Sequence, residues 1–177
     1  MKIQIPYQPR NVQAYIHQEL DKHRYSLLCL HRRCGKTTLC LNHLIKAAMT
    51  NKNHNPRYAY IAPTYKQAKS IAFDFLKYYT KKIPGTKYNE SELRCDFING
   101  ARISLLSSEN PDSIRGIYMD MVAIDETAQI SQGLIDEVIT PALSDRKGKM
   151  FLIGTPKGLN NIFYDYYNKA QTDDKWF

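Results

Sequence analysis

Residues 30–38, Leu-His-Arg-Arg-Cys-Gly-Lys-Thr-Thr, constrain the fold of this chain more than any other stretch. They follow a short apolar run at residues 26–30, which favours a buried strand, and they precede residues 39–48, whose apolar spacing predicts a helix. A tight loop between a strand and a helix N-terminus presents backbone N–H groups to an oxyanion. We therefore interpret the stretch as a phosphate-binding loop.

Two side chains of this loop have the chemistry that a nucleotide requires. Lys36 can reach the outer phosphates, and the hydroxyl of Thr37 can ligate Mg²⁺. The strict pattern is incomplete, because Leu30 stands where its first glycine would be. A Gly-Lys-Thr tripeptide also recurs by chance, and in that case the stretch is only a turn before an amphipathic helix.

Length and charge limit the remaining possibilities. A chain of 177 residues corresponds to about one domain, and its formal net charge of +8 suggests a polyanionic partner. No stretch approaches the ~20 apolar residues of a membrane span, so we expect no membrane association and a location in the cytoplasm. The four cysteines show no paired spacing and are expected to be reduced thiols.

A second motif lies at residues 121–126, where four apolar residues end in Asp125 and Glu126. Unpaired charge at the edge of a core is costly, so adjacent acids at a strand end require a reason. In a nucleotide hydrolase, the first acid supports Mg²⁺ through its water shell and the second polarises the attacking water. The alternative is a helix N-terminus, which also favours acidic residues.

Three further polar residues are candidates for the same site. Thr155 follows an apolar run at residues 149–153 and can sense a γ-phosphate, although Gly-Thr-Pro alone is just a turn. Arg115 lies in the polar loop that precedes residues 121–126 and is either a catalytic arginine or a surface charge. Gln13 has an amide that can read both the acceptor and the donor of an adenine edge, or it is simply an exposed helix glutamine.

The rest of the chain alternates strand and helix patterns. Helices are predicted at about residues 11–22, from 64 to about 82 and at 160–169, and a strand at 58–62. Asn99-Gly100 between two β-like runs predicts a hairpin. The alternation predicts an α/β fold with a mostly parallel central sheet flanked by helices on both faces.

Six segments together resemble the ATPase domain of bacteriophage terminase large subunits in order and spacing. They are residues 9–13, 31–37, 62–64, 113–116, 122–126 and 153–158. The resemblance covers nearly the whole chain. It implies a P-loop NTPase fold of the ASCE/RecA-like type, and an activity in which ATP hydrolysis drives double-stranded DNA through a portal into a preformed capsid.

The resemblance also assigns the nucleotide-binding residues. It implies that ATP and Mg²⁺ are bound, that Gln13 belongs to the adenine motif, and that the variant loop carries an arginine which stabilises charge on the subunit's own nucleotide. Arg32 matches that position better than Arg33, and the choice between them stays open. The implied loop residues are His31, Arg32, Arg33, Cys34, Gly35, Lys36, Thr37 and Thr38.

The remaining roles come from the same resemblance. Asp125 matches the metal-supporting acid, Glu126 the water-activating acid and Thr155 the coupling motif. Arg115 is similar to the arginine that reaches into a neighbouring subunit, which would make hydrolysis depend on a pentameric ring.

Partners and domain organisation are likewise implied by the family. Expected partners are double-stranded DNA, the portal protein of the procapsid, the terminase small subunit and further copies of the chain, in the cytoplasm of an infected bacterium. Residues 1–177 are expected to form the ATPase domain, cut before a nuclease domain, so that no nuclease activity is expected. Two alternatives remain: a helicase-like translocase, and a nucleotide-binding switch module without significant hydrolysis.

Overall fold

The fold is built on one seven-stranded sheet in the computed structural model, which describes residues 4–177. The spatial order is β1-β7-β6-β2-β5-β4-β3. The first five strands are parallel, and β4 and β3 extend the sheet antiparallel. The strands are β1 Tyr25–Cys29, β2 Arg57–Ala62, β3 Lys87–Asn89, β4 Arg94–Asp96, β5 Arg102–Ser107, β6 Met121–Ile124 and β7 Lys149–Gly154.

The helices lie close to their predicted positions. The predicted helix from residue 64 to about 82 is found as α3, a π-helical segment at Ala68–Phe73 and α4 in succession. A second π-helical segment, Leu134–Ile139, leads into α5. Within residues 4–177, no helix has the length and apolar character needed to cross a membrane. The α-helices are α1 Asn11–Lys22, α2 Lys36–Thr50, α3 Tyr65–Gln67, α4 Asp74–Thr80, α5 Thr140–Ser144 and α6 Ile162–Ala170.

Side chains of the central strands pack alternately on the two faces of the sheet. On β2, Tyr60 points into the cluster formed with α1, α2 and α4. Its neighbour Ile61 points into the cluster formed with the second π-helical segment, α5 and α6. The predicted sandwich of helices on both faces is confirmed, and it explains why the central strands read as continuous apolar runs.

The predicted hairpin at Asn99-Gly100 is also confirmed. β4 and β5 pair antiparallel around it, and Gly100 has a φ of +81°. β5 then pairs in parallel with β2 and so joins the main sheet. β3 was not predicted, because Lys87–Asn89 is polar and largely exposed and pairs only with β4 at the edge of the sheet.

Candidate functional site

The site lies where three neighbouring parallel strands end. The loop of residues 30–35 follows β1, Asp125 follows β6 and Thr155 follows β7. Parallel strands deliver the residues after their carboxyl ends to the same edge of a sheet. Helix α2 begins at this edge, directly after Gly35, whose φ of +75° turns the chain into the helix.

Lys36 joins the loop to the other two strand ends. Its Nζ donates to Thr155 Oγ1 at 3.0 Å and lies 3.5 Å from Glu126 Oε1. The Thr155 hydroxyl in turn donates to the carbonyl of Leu30 at 3.2 Å. The lysine side chain is only 9 % exposed, so these contacts occur in a sheltered part of the site.

Asp125 is held by three hydrogen bonds. Its Oδ2 accepts from the Tyr60 hydroxyl at 2.5 Å and from Thr37 Oγ1 at 3.1 Å, and its Oδ1 accepts from the backbone N–H of Glu126 at 2.8 Å. Burial raises the pKa of the Asp125 carboxyl, and these hydrogen bonds oppose the rise. The acid is 6 % exposed, so its oxygens face mainly other protein groups.

Glu126 adopts a left-handed backbone conformation, with φ 48° and ψ 44°. It stands at the N-cap of a short 3₁₀ turn, Thr127–Gln129, but its side chain makes no capping hydrogen bond. Capping therefore does not explain the acidic pair. The carboxylate instead faces a pocket of about 150 Å³, lined by Thr37, Tyr60, Ala62, Pro63, Gln67, Ile71, Asp125 and Glu126 itself.

The two loop arginines lie on the exposed rim. Arg32 and Arg33 are both exposed, and Arg33 has a positive φ of 66°. The Arg32 carbonyl contacts Nδ1 of His31, which is exposed as well. These contacts do not select between Arg32 and Arg33, and the preference for Arg32 stays a prediction.

Gln13 ties the first helix to the loop. It is buried, its Oε1 accepts from the backbone N–H of Arg10 at 3.0 Å, and its Nε2 lies 3.4 Å from the carbonyls of both Cys34 and Gly35. Both the oxygen and the nitrogen of the Gln13 side-chain amide thus contact backbone groups, and the contact of Gln13 with adenine stays a prediction. A pocket of about 320 Å³ opens beside it, lined by Pro6, Tyr7, Gln8, Arg10, Gln13, Gly35, Thr38 and Tyr79.

Arg115 lies apart from this group. Its side chain is 57 % exposed, and its guanidinium forms ion pairs with Asp112 at 3.2 Å and Glu137 at 4.0 Å. Neither partner belongs to the strand-end site. The structure therefore does not bring Arg115 to Lys36 and Glu126 of its own chain, and a reach into a neighbouring subunit stays a prediction.

Tyr60 is a site residue that the sequence reasoning missed. It lies in β2, where a tyrosine is an ordinary strand former, and its hydroxyl reaches Asp125 across the β2–β6 pair. The available signal was that a buried tyrosine hydroxyl requires a hydrogen-bond partner. That signal does not say which partner.

Comparison with known proteins gives a family match over most of the chain. The family model described as terminase large subunit, T4likevirus-type, N-terminal, matches residues 28–176. The curated terminase large subunit of Thermus virus P23-45 is 29 % identical over 180 residues. That alignment covers 91 % of this chain and 36 % of the relative, so the chain spans little more than a third of that protein.

Solved structures give the same result. The large terminase ATPase domain of Thermus phage P74-26 has a TM-score of 0.77 and 28 % identity, over 92 % of this chain and 70 % of that one. A large terminase from a thermophilic bacteriophage, solved in complex with ADP, also has a TM-score of 0.77. Its identity is 15 %, over 94 % of this chain and 44 % of that one, so this likeness shows the fold alone.

Proposed function

This chain belongs to the terminase large-subunit family, as its N-terminal ATPase domain, and from that premise we propose that it hydrolyses ATP to drive double-stranded DNA into a procapsid. The observation that carries the proposal is the meeting of Lys36, Glu126 and Thr155 beside the Thr37–Asp125 pair at one sheet edge. The family match favours packaging over the helicase-like alternative.

The proposed ligand is ATP, with its phosphates on the loop of residues 31–37. Backbone N–H groups at the start of α2 favour an anion there, and Lys36 supplies a full positive charge. The pocket between Tyr7, Arg10 and Gln13 lies on the α1 side of the same loop and is a suitable place for the base. The large terminase of the thermophilic bacteriophage, which shares the fold, has been solved with ADP.

Mg²⁺ fits the oxygens of Thr37 and Asp125. A hydroxyl and a carboxylate 3.1 Å apart are the oxygen ligands that Mg²⁺ prefers, and the ion keeps much of its water shell in such sites. Thr37 would ligate it directly and Asp125 would hold it through water. When bound, the ion neutralises charge on the phosphates.

The proposed reaction is an in-line attack of water on the γ-phosphorus of ATP, in which the bond to the β–γ bridging oxygen breaks and ADP leaves. Glu126 accepts the proton from the water, while Lys36 and Arg32 neutralise charge that develops on the phosphoryl oxygens. Arg115 of a neighbouring subunit completes the site, and an arginine supplied in this way can raise the rate ~10³- to 10⁵-fold. Thr155, bonded to Lys36, would report the state of the phosphate to the rest of the domain.

The proposed partners follow from the family. They are double-stranded DNA, the portal of the procapsid, the small subunit and other copies of this chain in a ring, in the cytoplasm of an infected bacterium. A net charge of +8 supports a polyanionic partner. Because the curated relative is much longer, we propose that residues 1–177 form the motor domain of a protein that also carries a nuclease domain, and that this segment itself does not cut DNA.

Release of phosphate from ATP tests the proposal, with Lys36→Ala as the variant. Loss of the loop lysine should lower Mg²⁺-dependent turnover on the order of 10²-fold or more, because a preorganised charge at the phosphates is removed. Lys46→Ala is the matched control, since Lys46 lies on the same helix and pairs with Asp21 on the surface. Wild-type turnover by Lys36→Ala would contradict the proposal.

A further inference from the structure

Tyr60 is a buried polar residue that contacts Asp125, the proposed metal-supporting acid, and that has no role in the proposed mechanism. It is 3 % exposed, lies near the carboxyl end of β2 and pairs in register with Ala123 of β6. Its hydroxyl donates to Asp125 Oδ2 at 2.5 Å, the shortest of the three hydrogen bonds to that carboxylate. A hydroxyl that donates to a carboxylate forms a charge-assisted hydrogen bond, which is one of the stronger kinds in proteins.

The two oxygens of Asp125 are held differently. Oδ1 is fixed by the backbone of Glu126, which the chain path supplies in any case. Oδ2 accepts from two side chains, Tyr60 and Thr37. The Thr37 hydroxyl is itself a proposed ligand of the cation: its oxygen would face the ion while its proton points to Oδ2, so its position would depend on the ion. Tyr60 is therefore the donor that can keep the carboxylate in place independently of Thr37.

We propose that Tyr60 is a positioning residue for the metal site, which orients Asp125 so that it can support Mg²⁺ at Thr37. The inference rests on the proposed function of the same site. Outer groups that hydrogen-bond to metal-supporting ligands typically change metal affinity when they are removed, because the ligand loses its fixed orientation.

Tyr58 shows what a tyrosine with only a structural role looks like in this fold. It lies on the same strand and the same face and is equally buried, at 2 % exposed. Its hydroxyl donates to the carbonyl of Ala47 at 3.0 Å and accepts from Asn51 Nδ2 at 2.9 Å, away from the strand-end site. Tyr58→Phe therefore removes the same atom from the same strand without touching Asp125.

The experiment measures the affinity of the chain for ADP as a function of Mg²⁺ concentration, in wild type, Tyr60→Phe and Tyr58→Phe. Tyr60→Phe should raise the half-saturating Mg²⁺ concentration roughly 10-fold, while its ADP affinity in EDTA stays at the wild-type value. Tyr58→Phe should keep the wild-type Mg²⁺ dependence. An unchanged half-saturating concentration in Tyr60→Phe would overturn the inference.

A second measurement uses only the wild-type chain, so its result does not depend on whether a variant folds. With tyrosines labelled with ¹³C at Cζ, addition of Mg²⁺ to the ADP-bound protein should shift the resonance of Tyr60 and leave that of Tyr58 in place. A fixed Tyr60 resonance would contradict the role. If Mg²⁺ has no effect on ADP binding by the wild type, the proposed function and this inference are both overturned. If ADP binding depends on Mg²⁺ in the wild type and Tyr60→Phe shows the same dependence, only the inference is overturned.

Discussion

The two adjacent acids of the site differ in what they can do because their surroundings differ. Asp125 is 6 % exposed and has both carboxylate oxygens occupied by donors. The Glu126 side chain is 28 % exposed, and its carboxylate forms an ion pair with Lys36 at 3.5 Å. A general base must have a carboxylate oxygen free to take up the proton that it removes. Both acids line the same pocket, but the oxygens of Asp125 already accept hydrogen bonds, whereas the Glu126 carboxylate is the more exposed of the two. The residue environment thus supports Glu126 rather than Asp125 as the base.

The conformation of the loop requires a glycine at position 35. Its φ of +75° is strained for a residue with a side chain, and a Cβ built on it would lie 2.9 Å from Nε2 of Gln13. The glycine thus lets α1 approach the loop closely enough for Gln13 to contact its carbonyls. Glycine is needed here for both conformation and close approach.

A largely buried pair of histidines joins helices α1 and α2. The rings of His17 and His43 stack with centroids 5.2 Å apart, and their Nδ1 atoms lie 3.0 Å from each other. The Tyr7 hydroxyl bonds to Nε2 of His17 at 2.9 Å, so the lead-in segment is attached to the same pair. Burial lowers the pKa of His17 to about 4 and that of His43 to about 3.

This pair predicts a loss of stability in mild acid. The unfolded chain takes up protons near pH 6.5, while the folded pair stays neutral until pH falls to about 4, so acid favours unfolding throughout that window. Lys46 and Lys149 reinforce the shift of His43 and Asp21 opposes it. The free energy of unfolding should fall by roughly 2 to 4 kcal/mol between pH 7 and pH 5, measured by urea unfolding at each pH.

His43→Gln should reduce that pH slope, because it removes one of the two groups that bind protons only in the unfolded state. His54→Gln is the matched control, since His54 is exposed and should leave the slope unchanged. An unaltered slope in His43→Gln would show that the histidine pair is not the source of the acid sensitivity.

The position of Arg115 bears on how copies of the whole molecule would work together. Its ion-pair partners are Asp112 and Glu137, which do not belong to the strand-end site, so its proposed catalytic role is in the site of a second copy of the chain. In a ring, an Arg115→Ala chain keeps Lys36 and can receive the arginine of a Lys36→Ala neighbour. Mixing the two inactive chains should therefore restore part of the phosphate release, relative to each chain alone.

Co-assembly of the two chains, shown by cross-linking, is the control for this complementation. Recovery of turnover with co-assembly supports an arginine supplied by the neighbour. If the chains assemble together and the mixture stays as inactive as its components, the role of Arg115 in a neighbouring site is wrong.

The sequence predicted most of the fold, because strand ends follow from local patterns. Apolar runs that end in Asp125 and Thr155 had to reach one sheet edge once the strands were parallel, and the structure places them there. The hydrogen bond from Tyr60 and the engaged amide of Gln13 could not be predicted, because both depend on which side chains meet in three dimensions. The edge strand β3 carries no apolar pattern at all.

The most direct test of the ATPase account measures ATP binding and phosphate release on one variant, Glu126→Ala. We expect ATP binding to survive, since Lys36 and Thr37 remain, and turnover to fall on the order of 10²- to 10⁴-fold, since the base is lost. Glu90→Ala, which removes a surface acid paired with Lys77, should behave as wild type in both assays. If Glu126→Ala binds ATP and releases phosphate as fast as an active wild type, the account of Glu126 as the base is contradicted. If the wild type binds ATP but releases no phosphate, the chain is a nucleotide-binding switch and the ATPase account itself is contradicted.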